Sequence, residues 1–181
     1  GLIAVSDTVV PWFLGEGYEE SKGLIKIGSM LIMAIGLNNV SGIQYLIPAK
    51  KQNIYTKSVI IAAIVNLIMN LVLIPKFKAG GALFASVMAE FLIMIVQLID
   101  IRKDVNISIV VKNSGKYIIS SFIMFIIVYF IGKNMNPTIY TTAIQVVIAG
   151  IIYAIMLVVL KDSFVIGIIQ DLKKKIQRKD I

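Results

Sequence analysis

The sequence has no cysteine and no histidine among its 181 residues. Without cysteine there is no disulfide framework and no thiolate metal site. Without histidine the chain lacks the commonest general base near neutral pH and the commonest metal ligand. Both absences argue against an enzyme, and no cofactor is expected. Charge is scarce as well. Charged residues make up 15% against 58% hydrophobic, and mean hydropathy is +0.89, more apolar than an ordinary soluble domain. The formal charge of +8 is no nucleic-acid signal, because the basic residues gather at the ends of apolar stretches and in the tail, where membrane topology and anionic lipid account for them. Proline is rare, and Pro48 and Pro75 stand at ends of those stretches, where a missing N–H does least harm. No period of 20–50 residues marks a soluble repeat array.

What the chain does have is long apolar runs. Five of them, at 24–48, 58–75, 80–101, 116–132 and 141–160, are near the length of about 20 residues that crosses a bilayer as a helix. The connections alternate in basic content. Lys50, Lys51 and Lys57, then Arg102, Lys103, Lys112 and Lys116, then Lys161, Lys173, Lys174, Lys175, Arg178 and Lys179 fall on one side. Lys22 and Lys26, Lys76 and Lys78, and Lys133 fall on the other. Thirteen of the eighteen basic residues thus share a side, which the positive-inside rule assigns to the cytoplasm. The pattern predicts an all-α, multi-pass helical bundle of the membrane with a cytoplasmic C-terminus.

Residues 1–14 are apolar, short for a span, and end in Pro11, Trp12 and Phe13. They read as the last part of an outward span begun upstream, so the chain is expected to be the C-terminal part of a longer protein: about five full spans plus a truncated one. The loop that follows carries Glu16, Glu19 and Glu20 and suits the outer face as a solvated segment. The division expected is a transmembrane lobe over 1–160 and a basic amphipathic tail over 161–181. In the tail Asp162 or Ser163 can cap a helix in which Phe164, Ile168, Leu172 and Ile176 recur every four residues, beside Val165 and Ile169. Such a helix fits the anionic cytoplasmic headgroup region; a solvated basic tail that only sets orientation fits equally well.

Polar groups at membrane depth need a partner helix or a wet cavity. They concentrate in residues 24–101: Asn38, Asn39, Ser41 and Gln44 in one span, Asn66 and Asn70 a turn apart in the next, and Glu90 near the middle of the third. The last two spans hold little beyond Ser120, Ser121, Tyr129 and Gln145 and read as support. Glu90 is the sharpest of these. An ionised, unpaired carboxylate there costs several kcal/mol, so it is protonated, paired or water-lined. Its functional reading is a proton-coupling or substrate-contacting group; the alternative is a carboxyl bonded to a neighbouring helix. Asn66 and Asn70 suit interhelical glue. Asp7 and Lys26 are further candidates to line a cavity or to pair together, and Gly81, Ala85 and Ala89 form a small-residue stripe that permits close helix contact.

Three segments in order carry a resemblance: Gly36-Leu-Asn-Asn-Val-Ser-Gly-Ile-Gln-Tyr-Leu-Ile-Pro48, then Asn66-Leu-Ile-Met-Asn70-Leu-Val-Leu-Ile-Pro75, then Gly80-Gly-Ala-Leu-Phe-Ala-Ser-Val-Met-Ala-Glu90. With Val10-Pro-Trp-Phe-Leu-Gly15 upstream, they resemble the C-terminal half of polysaccharide flippases (Wzx-type, O-antigen and capsule) of the multidrug/oligosaccharidyl-lipid/polysaccharide exporter superfamily. The resemblance covers residues 5–101. It implies most of one lobe of a two-lobed transporter in the bacterial cytoplasmic (inner) membrane. Such a transporter moves an undecaprenyl-diphosphate-linked oligosaccharide by alternating access, next to the polysaccharide polymerase machinery. Asn38, Asn39, Gln44, Asn66, Asn70 and Glu90 would then face the substrate, with Lys26 the local candidate for the diphosphate. Other readings are a lipid II flippase or drug antiporter of the same superfamily, a membrane-embedded polymerase or transferase, and a non-transporting scaffold subunit.

Overall fold

A computed structural model describes residues 1–177. It is helical throughout, with no strand among the described residues: α1 (Leu2–Phe13), α2 (Glu20–Asn38) running on into a π-helical segment (Asn39–Leu46), α3 (Gln52–Ile101), α4 (Ile107–Lys133), α5 (Ile139–Val159) and α6 (Ser163–Gln177). The chain divides into two compact units, one of residues 16–107 and the other of residues 3–15 with those from 108 onward.

Among the described residues, four helical stretches are long and apolar enough to cross a membrane: Glu20–Leu46, Gln52–Ile101, Ile107–Lys133 and Ile139–Val159. They turn large apolar side chains outward, with Leu71 71% exposed, Ile118 67% and Val159 64%. Water would penalise such a surface, whereas lipid accepts it. This is a multi-pass helical membrane bundle, as expected, and four stretches stand against five expected spans because one of them, Gln52–Ile101, holds two of the expected spans. The stretches 58–75 and 80–101 are two helices joined directly at Lys78 (φ 48°, ψ −129°), where the backbone leaves helical geometry.

That residue reverses the chain. Ser58 and Gln97 lie within one hydrogen bond of each other, so residues 52–77 and 79–101 are antiparallel arms of a hairpin. No loop was needed between them, because a left-handed residue suffices to turn a helix back. Lysine stands there, in a positive-φ region that glycine favours, at a cost of about 1–3 kcal/mol, and Gly80-Gly81 follow two residues later. Gly81 is needed for packing: a Cβ on it would stand 2.5 Å from the Leu73 carbonyl oxygen. Ala85 and Ala89 below it are buried too, so the small-residue stripe is the seam between the arms.

In this unit α2 and its π-helical extension pack along the hairpin. Tyr45, Lys51, Asp100 and Asp104 meet at one end. Ile27, Phe77 and Gly80 meet at the other. The three arms therefore run up, down and up. The basic connections 47–51 and 102–106 share an end, as their composition predicts.

The other unit sets α1, α4 and α5 side by side around Ala4, Val5 and Val128, flanked by Met124, Phe125 and Ala149. α4 and α5 run antiparallel, since Gln145 donates to the Val128 carbonyl (3.0 Å) and Tyr117 to Asp162 (2.8 Å). α4 begins at Ile107, so Lys112 and Lys116 are helical and not in a loop as the charge pattern predicted. The polar run Asn113-Ser-Gly115 does not stop the helix: Ser114 Oγ returns to the Val110 carbonyl (2.8 Å). Thr138 caps α5 through the Thr141 amide. Asp162 caps α6, accepting from the Phe164 and Val165 amides at 3.1 Å each, which decides between the two capping candidates. In α6 Phe164 and Ile168 are exposed while Val165 is half-buried. The side chains of Ile169, Leu172 and Ile176 and the basic cluster 173–179 lie outside the described residues.

Candidate functional site

Between Asn38 and Leu46 the helix widens to π geometry, with the Ile47 amide reaching back five residues to the Gly42 carbonyl (3.1 Å). Such widenings are uncommon and often sit at functional sites. Asn38 and Ser41 are buried, while Asn39 and Gln44 are exposed.

Asn38 faces the second hairpin arm. Its Nδ2 donates both to the Glu90 carboxylate (Oε2, 2.6 Å) and to the Glu90 backbone carbonyl (2.8 Å). One amide thus holds a carboxylate at membrane depth, where a charge alone costs about 2.5–3.5 kcal/mol. The acceptor end of the same amide, Asn38 Oδ1, is buried and has no hydrogen-bond partner among the described residues. Next to this pair lies an open groove of about 260 Å³, lined by Asn38, Asn39, Tyr55 and Glu90 among Ile35, Ile43, Val59 and Ile93.

A relay of three side chains braces the groove on one flank. Ser41 Oγ donates to Gln97 Oε1 (2.5 Å), Gln97 Nε2 to Ser58 Oγ (3.1 Å), and Ser58 Oγ to the Tyr55 carbonyl (2.7 Å). Gly42 lets Tyr55 lie against the π-helical turn; a Cβ there would stand 2.7 Å from its ring. Further along, Lys51 bridges Asp100 (2.9 Å) and Asp104 (2.5 Å), and Tyr45 donates to Asp104 (3.2 Å). Asp104 and then Asp100 hold the Lys51 ammonium well above its ordinary range. Lys51, outweighing partial desolvation, holds the Asp104 carboxyl low.

The structure therefore brings Asn38, Asn39 and Glu90 together and leaves the other candidates apart. Asn70 Nδ2 donates to Asn66 Oδ1 (2.7 Å) along the first arm, and neither residue lines the groove. Gln44 is exposed beyond it. Lys26 is half-buried on α2, twelve residues before Asn38, and is not part of its wall. Sequence reasoning missed Tyr55 and Gln97. Gln97 had a signal: it lies two turns after Glu90 on one helical face.

The second unit holds its own polar centre. Thr8 donates to Gln145 Oε1 (2.6 Å), Gln145 Nε2 donates to the Val128 carbonyl, and Trp12 Nε1 donates to Thr142 Oγ1 (2.8 Å). Asp7 and Thr8 line a pocket of about 160 Å³ with Tyr129, Gly132 and Lys133. Near the end of α5, Asp162 is 1% exposed, accepts from Tyr117 and pairs with Lys116. The Lys116 ammonium first and the Tyr117 hydroxyl second hold its carboxyl at a pKa of about 2.

These features define a class: a multi-pass helical membrane protein with a hydrogen-bonding groove in one of its two units. Compared with known proteins, the chain matches no family model, no curated protein and no solved structure.

Proposed function

We propose that the chain belongs to a transporter of the bacterial cytoplasmic membrane that flips lipid-linked oligosaccharide repeat units for surface polysaccharide synthesis. The observation that carries the reading is the Asn38–Glu90 pair beside an open groove whose wall is otherwise largely aliphatic. A sugar chain crossing hydrocarbon needs a path of hydrogen-bonding groups, and amides, a tyrosine hydroxyl and a carboxylate offer one. The resemblance of residues 5–101 to polysaccharide flippases supplies the substrate class: an undecaprenyl-diphosphate-linked oligosaccharide. The end that carries Lys50, Lys51, Arg102 and Lys103 faces the cytoplasm in this reading.

Flux of a lipid-linked oligosaccharide into vesicles tests the proposal. Glu90→Gln retains an oxygen for Asn38 to donate to, so the protein should insert and fold. Flux should drop by about tenfold, the rate equivalent of one charge-assisted hydrogen bond. Undiminished flux at equal membrane abundance would remove Glu90 from the transport path. Transport of lipid II or of a cationic drug in place of the oligosaccharide would move the protein to another branch of the exporters.

A further inference from the structure

At the hairpin end of the 16–107 unit a second cavity opens, different in kind from the groove at Asn38 and Glu90. It measures about 320 Å³ and is lined by Ile27 of α2, Leu73 and Phe77 of the first arm, and Gly80, Gly81 and Phe84 of the second. None of these side chains can form a hydrogen bond, so the wall suits hydrocarbon and neither a sugar nor a peptide backbone. Gly81 is fixed by the Leu73 carbonyl, but Gly80 is not fixed by packing. A Cβ on Gly80 would meet only Leu24, at 3.9 Å, which is ordinary contact. Gly80 thus lines the slot and has room for a side chain.

Lys76 and Lys78 stand on either side of Phe77, one wall of the slot, and both are exposed. Neither is paired with an acid among the described residues. Lys78 takes a left-handed conformation at the point of reversal, so the chain places an ammonium there despite the backbone strain. A hydrocarbon slot whose wall residue Phe77 is flanked in the chain by two exposed lysines, in a bundle that faces lipid, matches an acyl chain joined to an anionic phosphate.

We infer that this slot is a binding site for an anionic phospholipid, with one acyl chain along Ile27, Leu73 and Phe84 and its phosphate at Lys76 and Lys78. The site is separate from the Asn38–Glu90 groove and does not depend on the transport reading.

The test is native mass spectrometry of the chain released from nanodiscs that mix phosphatidylglycerol and phosphatidylcholine of identical acyl chains. Phosphatidylglycerol should be retained preferentially. Lys76→Gln and Lys78→Gln should each lower that preference about fivefold. Gly80→Leu, which fills the slot, should remove the retained lipid with both lysines in place. Gly80→Ala adds only a methyl at contact distance from Leu24 and serves as the folding control, with retention close to the parent chain. Equal retention of the two lipids would overturn the site, as would undiminished retention in Gly80→Leu. Displacement of phosphatidylglycerol by an equimolar long-chain polyprenyl phosphate would overturn it too, by giving the slot to a different lipid.

Discussion

Of three buried side-chain amides among the described residues, Gln145 in one unit and Asn38 in the other carry the same chemistry into the membrane-depth helices and use it differently. Gln145 is fully buried, with its oxygen taken by Thr8 and its nitrogen by the Val128 carbonyl. Gly132 backs onto it so closely that a Cβ there would run into its amide and come within 3.2 Å of Thr8. Asn38 spends its nitrogen on Glu90, keeps its oxygen unmatched, and borders an open groove. A closed, satisfied amide holds helices together. One that is half-satisfied, beside a carboxylate and a cavity, retains capacity for another molecule. The neighbours decide the role, and the residue type does not.

The strongest test of that contrast is a pair of glycine substitutions. Gly132→Ala pushes into an amide that cannot move without breaking both its bonds, and should cost about 2–3 kcal/mol. Gly42→Ala meets the edge of the Tyr55 ring at 2.7 Å and Gln97 Nε2 at 3.2 Å, a milder overlap than that of Gly132 with the Gln145 amide, and should cost less. Unfolding of the two variants in the same detergent measures the difference; equal losses would show that Gln145 is no more tightly enclosed than the groove.

Gln97→Leu should have a smaller effect. It removes the centre of the Ser41–Gln97–Ser58 relay, and interhelical hydrogen bonds of this kind contribute about 0.6–1.7 kcal/mol in membranes. The loss should appear as faster amide exchange through the π-helical turn 39–46, with α4 and α5 unaffected. Unchanged exchange over 39–46 would mean that the turn is held by its backbone alone.

The charged clusters extend the comparison and predict the smallest effect under ordinary conditions. Asp104 is open, its side chain 42% exposed, whereas Asp162 is enclosed between Lys116, Tyr117 and the start of α6. The folded pKa of Asp162, about 2, lies below the ordinary carboxylate value. Its stabilisation is therefore fully present above roughly pH 4 and is lost as pH falls through about 2. Exchange of the Phe164 and Val165 amides should stay slow down to about pH 3 and rise, relative to the intrinsic rate, only below it. A rise already at pH 5 would show that the cap does not hold α6.

Much of the fold was legible from one-dimensional pattern. The apolar runs placed the helices, because a backbone in lipid must satisfy its own hydrogen bonds, and the basic connections at 50–51 and 102–103 were rightly put at a common end. The hairpin was half-legible. Pro75 and Gly80-Gly81 marked an interruption, but the reversal rests on Lys78, a residue with no preference for the left-handed region. Glu90 stood out by its depth, and its alternative reading, a carboxyl bonded to a neighbouring helix, describes its contact with Asn38. Asn38, Asn39, Ser41 and Gln44 were read together because they share a span, and the structure divides them between buried and exposed positions. Gln145 looked minor in sequence because a lone glutamine in an apolar run does not announce Thr8, 137 residues away.

By itself the sequence determined the helices, their apolar exteriors and the depth of Glu90, since these follow from composition along a single chain. Only the tertiary structure decided which amide meets the carboxylate, which is sealed, and where a groove and a slot remain open. Those depend on contacts between residues tens of positions apart, such as Asn38 with Glu90 and Ser58 with Gln97, and no local periodicity encodes them.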